Sequence, residues 1–375
     1  FGCQMNVRDA EAISGLLLEG GFKVFNSEQE GVDVILFVTC SVRQHAEDRV
    51  WSEIGRFSKL KPKPIIGLVG CMAENYRDNA FKRMPGIDLV VGTNNIGEIP
   101  QLLKDIFKER GRTKGEAGGT KDVRHTLAVA KAQRDEFVYQ HVFKQDKKHS
   151  YVVISEGCDN FCSYCIVPYV RGRLRHRPPE SILKEIKTGI ACGVQSLTLL
   201  GQNVCAYGRG AGFIRLLELV DKIEGLKEFS FVSSHPKDAS VNLFQAMAHL
   251  EKIKKYLHLP FQSGSNRILE LMNRGYSRQH YLGLVDNYRR IVSGGVLTTD
   301  IIVGFPGETE GDFQETLDLV RQARFWSAYI FKYSPRPNTL AEKLKDDLPL
   351  KEKQRRHQIL LGLQRQISNE LKHKK

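Results

Sequence analysis

Short apolar runs alternate with helix-length stretches along this chain, and that alternation leaves few folds open to it. Val34-Ile35-Leu36-Phe37-Val38-Thr39 and Ile65-Ile66-Gly67-Leu68-Val69-Gly70 are near-continuous apolar runs, as expected of parallel strands buried on both faces. Helical stretches follow at residues 42–59 and 73–84, and Asn6 is a candidate N-cap for a helix over residues 7–18 that Gly20-Gly21 stops. Leu89-Val90-Val91-Gly92 and a helix near residues 99–108 continue the rhythm. Together they predict an N-terminal open parallel-sheet α/β domain over residues 1–110. Residues 111–148 read as a linker, glycine-rich and polar to residue 121 and charge-rich after it. The rhythm resumes at Tyr151-Val152-Val153-Ile154, with further strands expected at 196–200, 228–232, 256–259, 297–303 and 328–333. Helices are expected between them at 179–191, 213–223, 265–273, 278–293 and 310–323. Six βα units predict a (β/α)6 barrel or partial barrel over residues 149–375, its site at the carboxyl ends of the strands.

Eight cysteines stand in this frame. Cys158, Cys162 and Cys165 form C-x3-C-x2-C, compact enough for one loop to wrap one metal centre. Structural zinc sites pair their cysteines in two knuckles, and here a second knuckle is missing, so zinc would need His149 or His176 as a fourth ligand. Three thiolates on a cubane iron–sulfur cluster instead leave one iron open to substrate, and the spacing favours that reading. Cys40 and Cys71 each end an expected strand, and Cys3 precedes a helix whose own strand lies mostly upstream. Residues just past the carboxyl ends of parallel strands converge on one crevice, so these three are expected to meet at a second metal centre. Cys192 reads as a core residue, and Cys205 is left unassigned.

The expected barrel strands end in polar, turn-forming residues, among them Gln202, Ser233 and Gln262, which read as walls of a cofactor site. Asp300 joins them, because a carboxylate inside an apolar strand must be paired. His235, before Pro236, reads as a turn residue. Lys and Arg number 56 against 43 Asp and Glu, a net charge of +13, which favours a polyanionic partner. Arg171, Arg173, Arg175 and Arg177 follow the cysteine triplet and are expected to bind a phosphate backbone. The last 25 residues are basic and carry apolar residues at helical spacing, predicting an amphipathic helix along the barrel. A run of about 18 apolar residues is missing, which speaks against a transmembrane helix. Phe1-Gly2-Cys3-Gln4 does not open a signal peptide, so a cytoplasmic location is expected. The chain does not begin with Met, which leaves an organellar leader open.

The triplet with Tyr164 before its last cysteine resembles the signature of radical S-adenosylmethionine enzymes. Gly2-Cys3-Gln4-Met5-Asn6, Thr39-Cys40-Ser41 and Gly70-Cys71-Met72-Ala73-Glu74 narrow the resemblance to the methylthiotransferases. Leu200-Gly201-Gln202-Asn203, Ser233-Ser234-His235-Pro236, Gln262-Ser263-Gly264-Ser265 and Gly304-Phe305-Pro306-Gly307-Glu308 follow in the family's order. The tRNA-modifying branch is the nearest in pattern. Val38 and Cys205 stand where many members carry Asn, and Leu174 and His176 where Glu and Ser are common.

The resemblance implies a radical-SAM partial barrel and two 4Fe-4S clusters. Cys158, Cys162 and Cys165 would hold the cluster that binds S-adenosylmethionine and, on receiving an electron, yields a 5′-deoxyadenosyl radical. Cys3, Cys40 and Cys71 would hold an auxiliary cluster where sulfur is methylated. It implies methylthiolation at C2 of N6-isopentenyladenosine beside the anticodon, with a flavodoxin- or ferredoxin-type electron donor and no membrane partner. Threonylcarbamoyladenosine in tRNA or a ribosomal-protein aspartate is the alternative target, and a zinc-stapled RNA-binding protein the alternative class. Family members continue into an RNA-binding TRAM barrel, before which Lys375 stops, and in the absence of that barrel tRNA affinity is expected to be weak and carried by the arginine-rich segment and the last helix.

Overall fold

The computed structural model describes residues 2–25, 31–42, 44–113, 125–131, 133–140, 146 and 148–373. It divides into two compact units, Phe1–Asp146 with Tyr169–Gly172, and Lys147–Pro168 with Arg173–Lys375.

The first unit is built on four parallel strands in chain order: β1 (Val34–Thr39), β2 (Ile65–Gly70), β3 (Leu89–Val91) and β4 (Thr126–Ala128). Every residue of β2 is buried, because its two faces meet different helix layers. Ile65 and Val69 pack with Ile13 and Leu16 of the helix Gln4–Glu19 and with Leu103 and Ile106 of the helix Ile99–Thr113. Ile66 and Leu68 pack on the other side with Val50, Trp51 and Ile54 of the helix Gln44–Phe57. This two-sided burial is what the continuous apolar runs anticipate.

Three expectations change here. The stretch expected to be linker supplies β4, joined to β3 through Thr126 N–H to the Asp88 carbonyl at 2.9 Å and Gly92 N–H to the Ala128 carbonyl at 2.7 Å. A three-residue strand is too short to show a period. Residues 114–124 and 141–145 of that stretch lie outside the described residues. The helix expected at 73–84 is two, Cys71–Tyr76 and Asp78–Arg83, parted at Arg77 with φ +46°. The first helix starts at Gln4 with Cys3 at its N-cap, so Asn6 lies inside the first turn rather than ahead of it.

In the second unit, β5 (His149–Val153) runs into a small antiparallel hairpin of β6 (Ser155–Glu156) and β7 (Arg175–His176). Then β8 (Ser196–Leu200) and β9 (Glu228–Phe231) lie parallel to β5. Next, β10 (Tyr256–His258), β11 (Val296–Val303) and β12 (Ser327–Lys332) form a second parallel trio. The trios join just before β10, where Phe229 N–H donates to the Lys252 carbonyl at 2.8 Å and Lys254 N–H to that of Phe229 at 2.7 Å. The result is a six-stranded partial (β/α) barrel. Leu197, Leu199, Phe229, Leu257 and Leu297 face a helix layer led by Phe213, Phe244, Tyr281 and Phe313.

The helices Pro179–Ala191 and Glu310–Ala323 fall at their expected bounds because their starts are written locally. One has Pro at its first position, the other a Thr309–Asp312 capping box. The basic helix Leu350–His373 buries Leu360 and Ile367 in the barrel core. Lys353 and Arg356 are ion-paired at 2.6 Å with Asp346 and 2.7 Å with Glu308. Among the described residues, no helix is long and apolar enough to cross a membrane.

Candidate metal centres

In the first unit the three expected cysteines do converge. Cys40 follows β1, Cys71 opens the helix after β2, and Cys3 caps the helix Gln4–Glu19. Cys3 and Cys40 share a hydrogen bond, which with Arg171 and nearby backbone N–H groups outweighs burial and lowers the Cys3 thiol to about 6. The same bond, with burial, pushes Cys40 upward, so Cys40 keeps the proton. Burial raises Cys71 despite an opposing hydrogen bond and charge from Arg171. Arg171 is therefore misplaced in a row of phosphate contacts. It is 4 % exposed and bonds Asp9 at 2.7 Å, and Asp9 holds Arg134 on its other oxygen at 2.7 Å. Burial works against ionisation of Asp9, but the two guanidiniums hold its carboxyl below the ordinary range.

In the second unit, Cys158, Cys162 and Cys165 sit on the loop leaving β6. The backbone turns through positive φ at Gly157 (+76°) and Phe161 (+45°), which lets a short segment curl its thiols inward. Asn273 and Met272 anchor that curl, through Asn273 Nδ2 to the Phe161 carbonyl at 2.9 Å and Ser163 N–H to the Met272 carbonyl at 3.0 Å. Gln202, expected as cofactor wall, accepts the Gly157 N–H at 2.6 Å and so shapes the loop itself.

Two residues that the sequence did not single out for this role meet Cys162. Arg274, 5 % exposed, donates to the Cys162 sulfur at 3.3 Å, to the Tyr164 hydroxyl at 3.3 Å and to the Pro260 carbonyl at 2.9 Å. His235 lies with Nε2 at 4.0 Å from the same sulfur, while its Nδ1 accepts the Lys237 N–H at 3.2 Å. That bond fixes the proton on Nε2, aimed at the thiol. Burial, with Arg274 and Lys237, drives His235 down to about 2, so it is a neutral donor and no catalytic base. A buried Arg in Asn273-Arg274-Gly275-Tyr276 carries no spacing that would have flagged it.

The carboxyl ends of the barrel strands hold buried polar atoms without a hydrogen-bond partner among the described residues: Ser155 Oγ and Gln262 Oε1. Such atoms are open to a polar ligand, and the amide oxygen of Gln262, expected as cofactor wall, is among them. Ser233 is half-buried at φ +68° and turns the chain there. Asp300 pairs with His258 Nε2 at 3.4 Å. Of the remaining arginines, Arg173 is exposed and Arg175 partly so, whereas Arg177 is buried against Glu185 at 2.6 Å and the Val153 carbonyl at 2.7 Å. The expectation of four phosphate contacts thus narrows to Arg173 and Arg175. Cys192 is exposed at the end of its helix, not in the core, while Cys205 is a buried thiol raised to about 12 by burial.

Both donor sets are soft thiols, which suit iron–sulfur clusters. Among the described residues no group of three or more His, Cys, Asp or Glu side chains is arranged to hold a single metal ion. One ion needs every donor within about 2.3 Å of a point, whereas a cubane gives each thiolate its own iron.

Residues 152–320 match the Radical SAM superfamily, and residues 1–92 match Uncharacterized protein family UPF0004. In fold the chain is similar to the radical S-adenosylmethionine methyltransferase TsrM of Kitasatospora setae (TM-score 0.58, 13% identity, 89% of this chain and 73% of that one). It is also similar to the radical enzyme OxsB (TM-score 0.52, 15% identity, 80% and 44%). The partial barrel and its cysteine loop are those of a radical S-adenosylmethionine enzyme.

The tRNA-2-methylthio-N(6)-dimethylallyladenosine synthase of Moorella thermoacetica is 43% identical over 98% of this chain and 82% of its own length. That of Caldicellulosiruptor saccharolyticus is 44% identical over 98% and 77%. At this identity and coverage, the chain belongs to their family of radical S-adenosylmethionine methylthiotransferases.

Proposed function

We infer that this chain places a methylthio group on C2 of N6-isopentenyladenosine beside the anticodon of tRNA. The observation that carries the reading is the presence of two separate cysteine trios, one per unit, in a chain whose relatives are named for that product. Cys158, Cys162 and Cys165 would hold one 4Fe-4S cluster, and Cys3, Cys40 and Cys71 the second. When bound, the clusters and S-adenosylmethionine supply the one-electron cleavage of a sulfonium and an iron site for sulfur.

The chain's own residues supply position and charge. Arg274 holds a fixed cation beside Cys162, suited to an anionic group of the cofactor, and His235 holds a proton on Nε2 toward the same sulfur. Ser155 and Gln262 offer unpaired polar atoms to the cofactor's own polar groups. Ser233 and Gln202 set the backbone around them, and Asp300 lines the wall with His258. Arg173 and Arg175 offer charge to phosphates of tRNA. A flavodoxin- or ferredoxin-type protein would bring the electron.

The test is mass spectrometry of nucleosides after isopentenylated tRNA is treated with the reconstituted protein, S-adenosylmethionine, sulfide and reductant. The methylthiolated isopentenyladenosine is expected from the parent and not from Cys3→Ala. Methylthiolation of threonylcarbamoyladenosine or of a ribosomal-protein aspartate in its place would overturn the substrate. Zinc uptake without S-adenosylmethionine cleavage would overturn the chemistry.

A further inference from the structure

The Asn6 carboxamide bonds two of the segments that carry a cysteine of the first unit and stands beside the third. Its oxygen accepts from the Cys3 backbone N–H at 3.3 Å and lies 3.1 Å from the Cys3 sulfur. Its nitrogen donates to the carbonyl of Thr39, the residue before Cys40, at 2.6 Å. The same nitrogen lies 3.7 Å from where a Cβ on Gly70, the residue before Cys71, would stand. Asn6 is 3 % exposed and its bond to Thr39 is buried, whereas Cys3 itself is exposed.

The surroundings are cut to admit this one side chain. A Cβ at Gly2 would fall 2.6 Å from Asn6 Oδ1 and 2.8 Å from the Cys40 Cβ, and one at Gly70 would fall 3.0 Å from the Thr39 carbonyl oxygen. Both glycines have positive φ, +149° and +93°, where side chains strain the backbone. Thr39 adds a brace across the strands, its hydroxyl donating to the Val69 carbonyl at 2.8 Å. At the third helical position Asn serves as capping-box partner of Cys3, which accounts for the bond to the Cys3 N–H but not for the one to Thr39. What a carboxamide offers is an acceptor on one end and a donor on the other, and both ends are used here in opposite directions.

We propose that Asn6 is a positioning residue for the metal centre at Cys3, Cys40 and Cys71, a single carboxamide that sets how far apart the three sulfurs stand. The proposal rests on the second-cluster reading given above. Asp at this position keeps the shape but presents an oxygen to the Thr39 carbonyl, so the Cys40 segment is pushed away. Ala removes the ties to the Cys3 and Thr39 segments and leaves the Thr39 carbonyl without its donor.

The experiment uses the full chain carrying Cys158→Ala, Cys162→Ala and Cys165→Ala, reconstituted anaerobically so that iron can enter only the first unit's trio. The parent in this background is expected to take up about four irons. Asn6→Asp and Asn6→Ala are each expected to lose that iron to a chelator about 10–100-fold faster, the usual effect of removing an outer-shell partner. The electron paramagnetic resonance signal of the remaining cluster is expected to shift. In chains with the Cys158 trio intact, iron at that trio is expected to match the parent, and the apo protein to lose no more stability than one buried hydrogen bond accounts for. Variants that retain iron and signal like the parent overturn the proposal while leaving the second cluster standing. Equal losses at the Cys158 trio, with a larger loss of stability than that, reduce Asn6 to a general folding role and overturn it too. A parent that takes up no iron in this background overturns the second-cluster reading and the proposal with it.

Discussion

Cys158, Cys162 and Cys165 ride on one loop, whereas Cys3, Cys40 and Cys71 come from three separate strand and helix junctions. The loop trio is organised by what surrounds it: positive-φ backbone at Gly157 and Phe161, a buried Arg274, and a neutral His235. The scattered trio is organised by the sheet itself, with β1 and β2 in register so that Thr39 and Gly70 stand side by side. A local site can be re-formed by a loop; a distributed site exists only once the sheet is closed. The two should therefore fail differently.

The largest separation is expected from paired cysteine variants. Cys162→Ala should reduce 5′-deoxyadenosine formation to background, while Cys40→Ala should retain it and lose the methylthiolated nucleoside. If Cys40→Ala also abolishes 5′-deoxyadenosine, the trios do not work independently and the comparison breaks. Next in size, Arg274→Ala should lower 5′-deoxyadenosine formation by about 10–100-fold, as outer-shell losses do. Arg274→Lys should fall between, since it keeps the charge and loses the fork that reaches both Cys162 and Pro260.

Gly264→Ala probes the backbone under the barrel site without touching a thiol. Its Cβ would lie 2.5 Å from the Glu315 carbonyl oxygen and 2.5 Å from the Thr316 Cα, and backbone yields little. A loss of about 1–3 kcal/mol in denaturant unfolding is expected, and an unchanged midpoint would refute the close approach.

A gentler contrast lies in pH. Cys3, lowered to about 6, is mostly thiolate at neutral pH, so its alkylation in the apo protein should level off above about pH 6. Cys165, raised to about 12 by burial, should stay unreactive at neutral pH and gain rate through pH 9 and beyond. Mapping alkylated peptides against pH would show it, and equal profiles would contradict the distinction. Smallest of all, Arg173→Ala should weaken tRNA binding slightly and reduce the log–log salt slope by about 1, whereas Arg177→Ala should leave the slope alone.

How far the sequence carried the reading depended on whether a residue's partner lies nearby in the chain. The C-x3-C-x2-C loop is local, so it was legible outright. The convergence of Cys40 and Cys71 was legible because two apolar runs end on them and parallel strands share an end. Strand β4 was not, since three residues carry no period and its pairing with β3 is set by tertiary contact. Arg171 and Arg177 looked like surface charge because neither Asp9 nor Glu185 advertises itself as a partner. Asn6, the N-cap that the sequence predicts, stands three positions inward, with Cys3 in the capping place. Arg274 and the tautomer of His235 depend on contacts across the barrel that no spacing encodes.

Asp9 sits between Arg134 and Arg171, and the chain reaches Arg171 only after it has passed through the Cys158 loop. Residues Tyr169–Gly172 accordingly count with the first unit although the second surrounds them in sequence. No single cut can then free the first unit intact. A fragment ending near residue 146 would leave Asp9 with one guanidinium instead of two and strip its second oxygen of the Arg171 donor, a buried hydrogen bond to a charge of the kind that contributes about 1.5–3 kcal/mol. Gene fusions or domain exchanges that treat the halves as separable modules would carry this defect silently. The coding sequence that must travel with the first unit extends through Gly172.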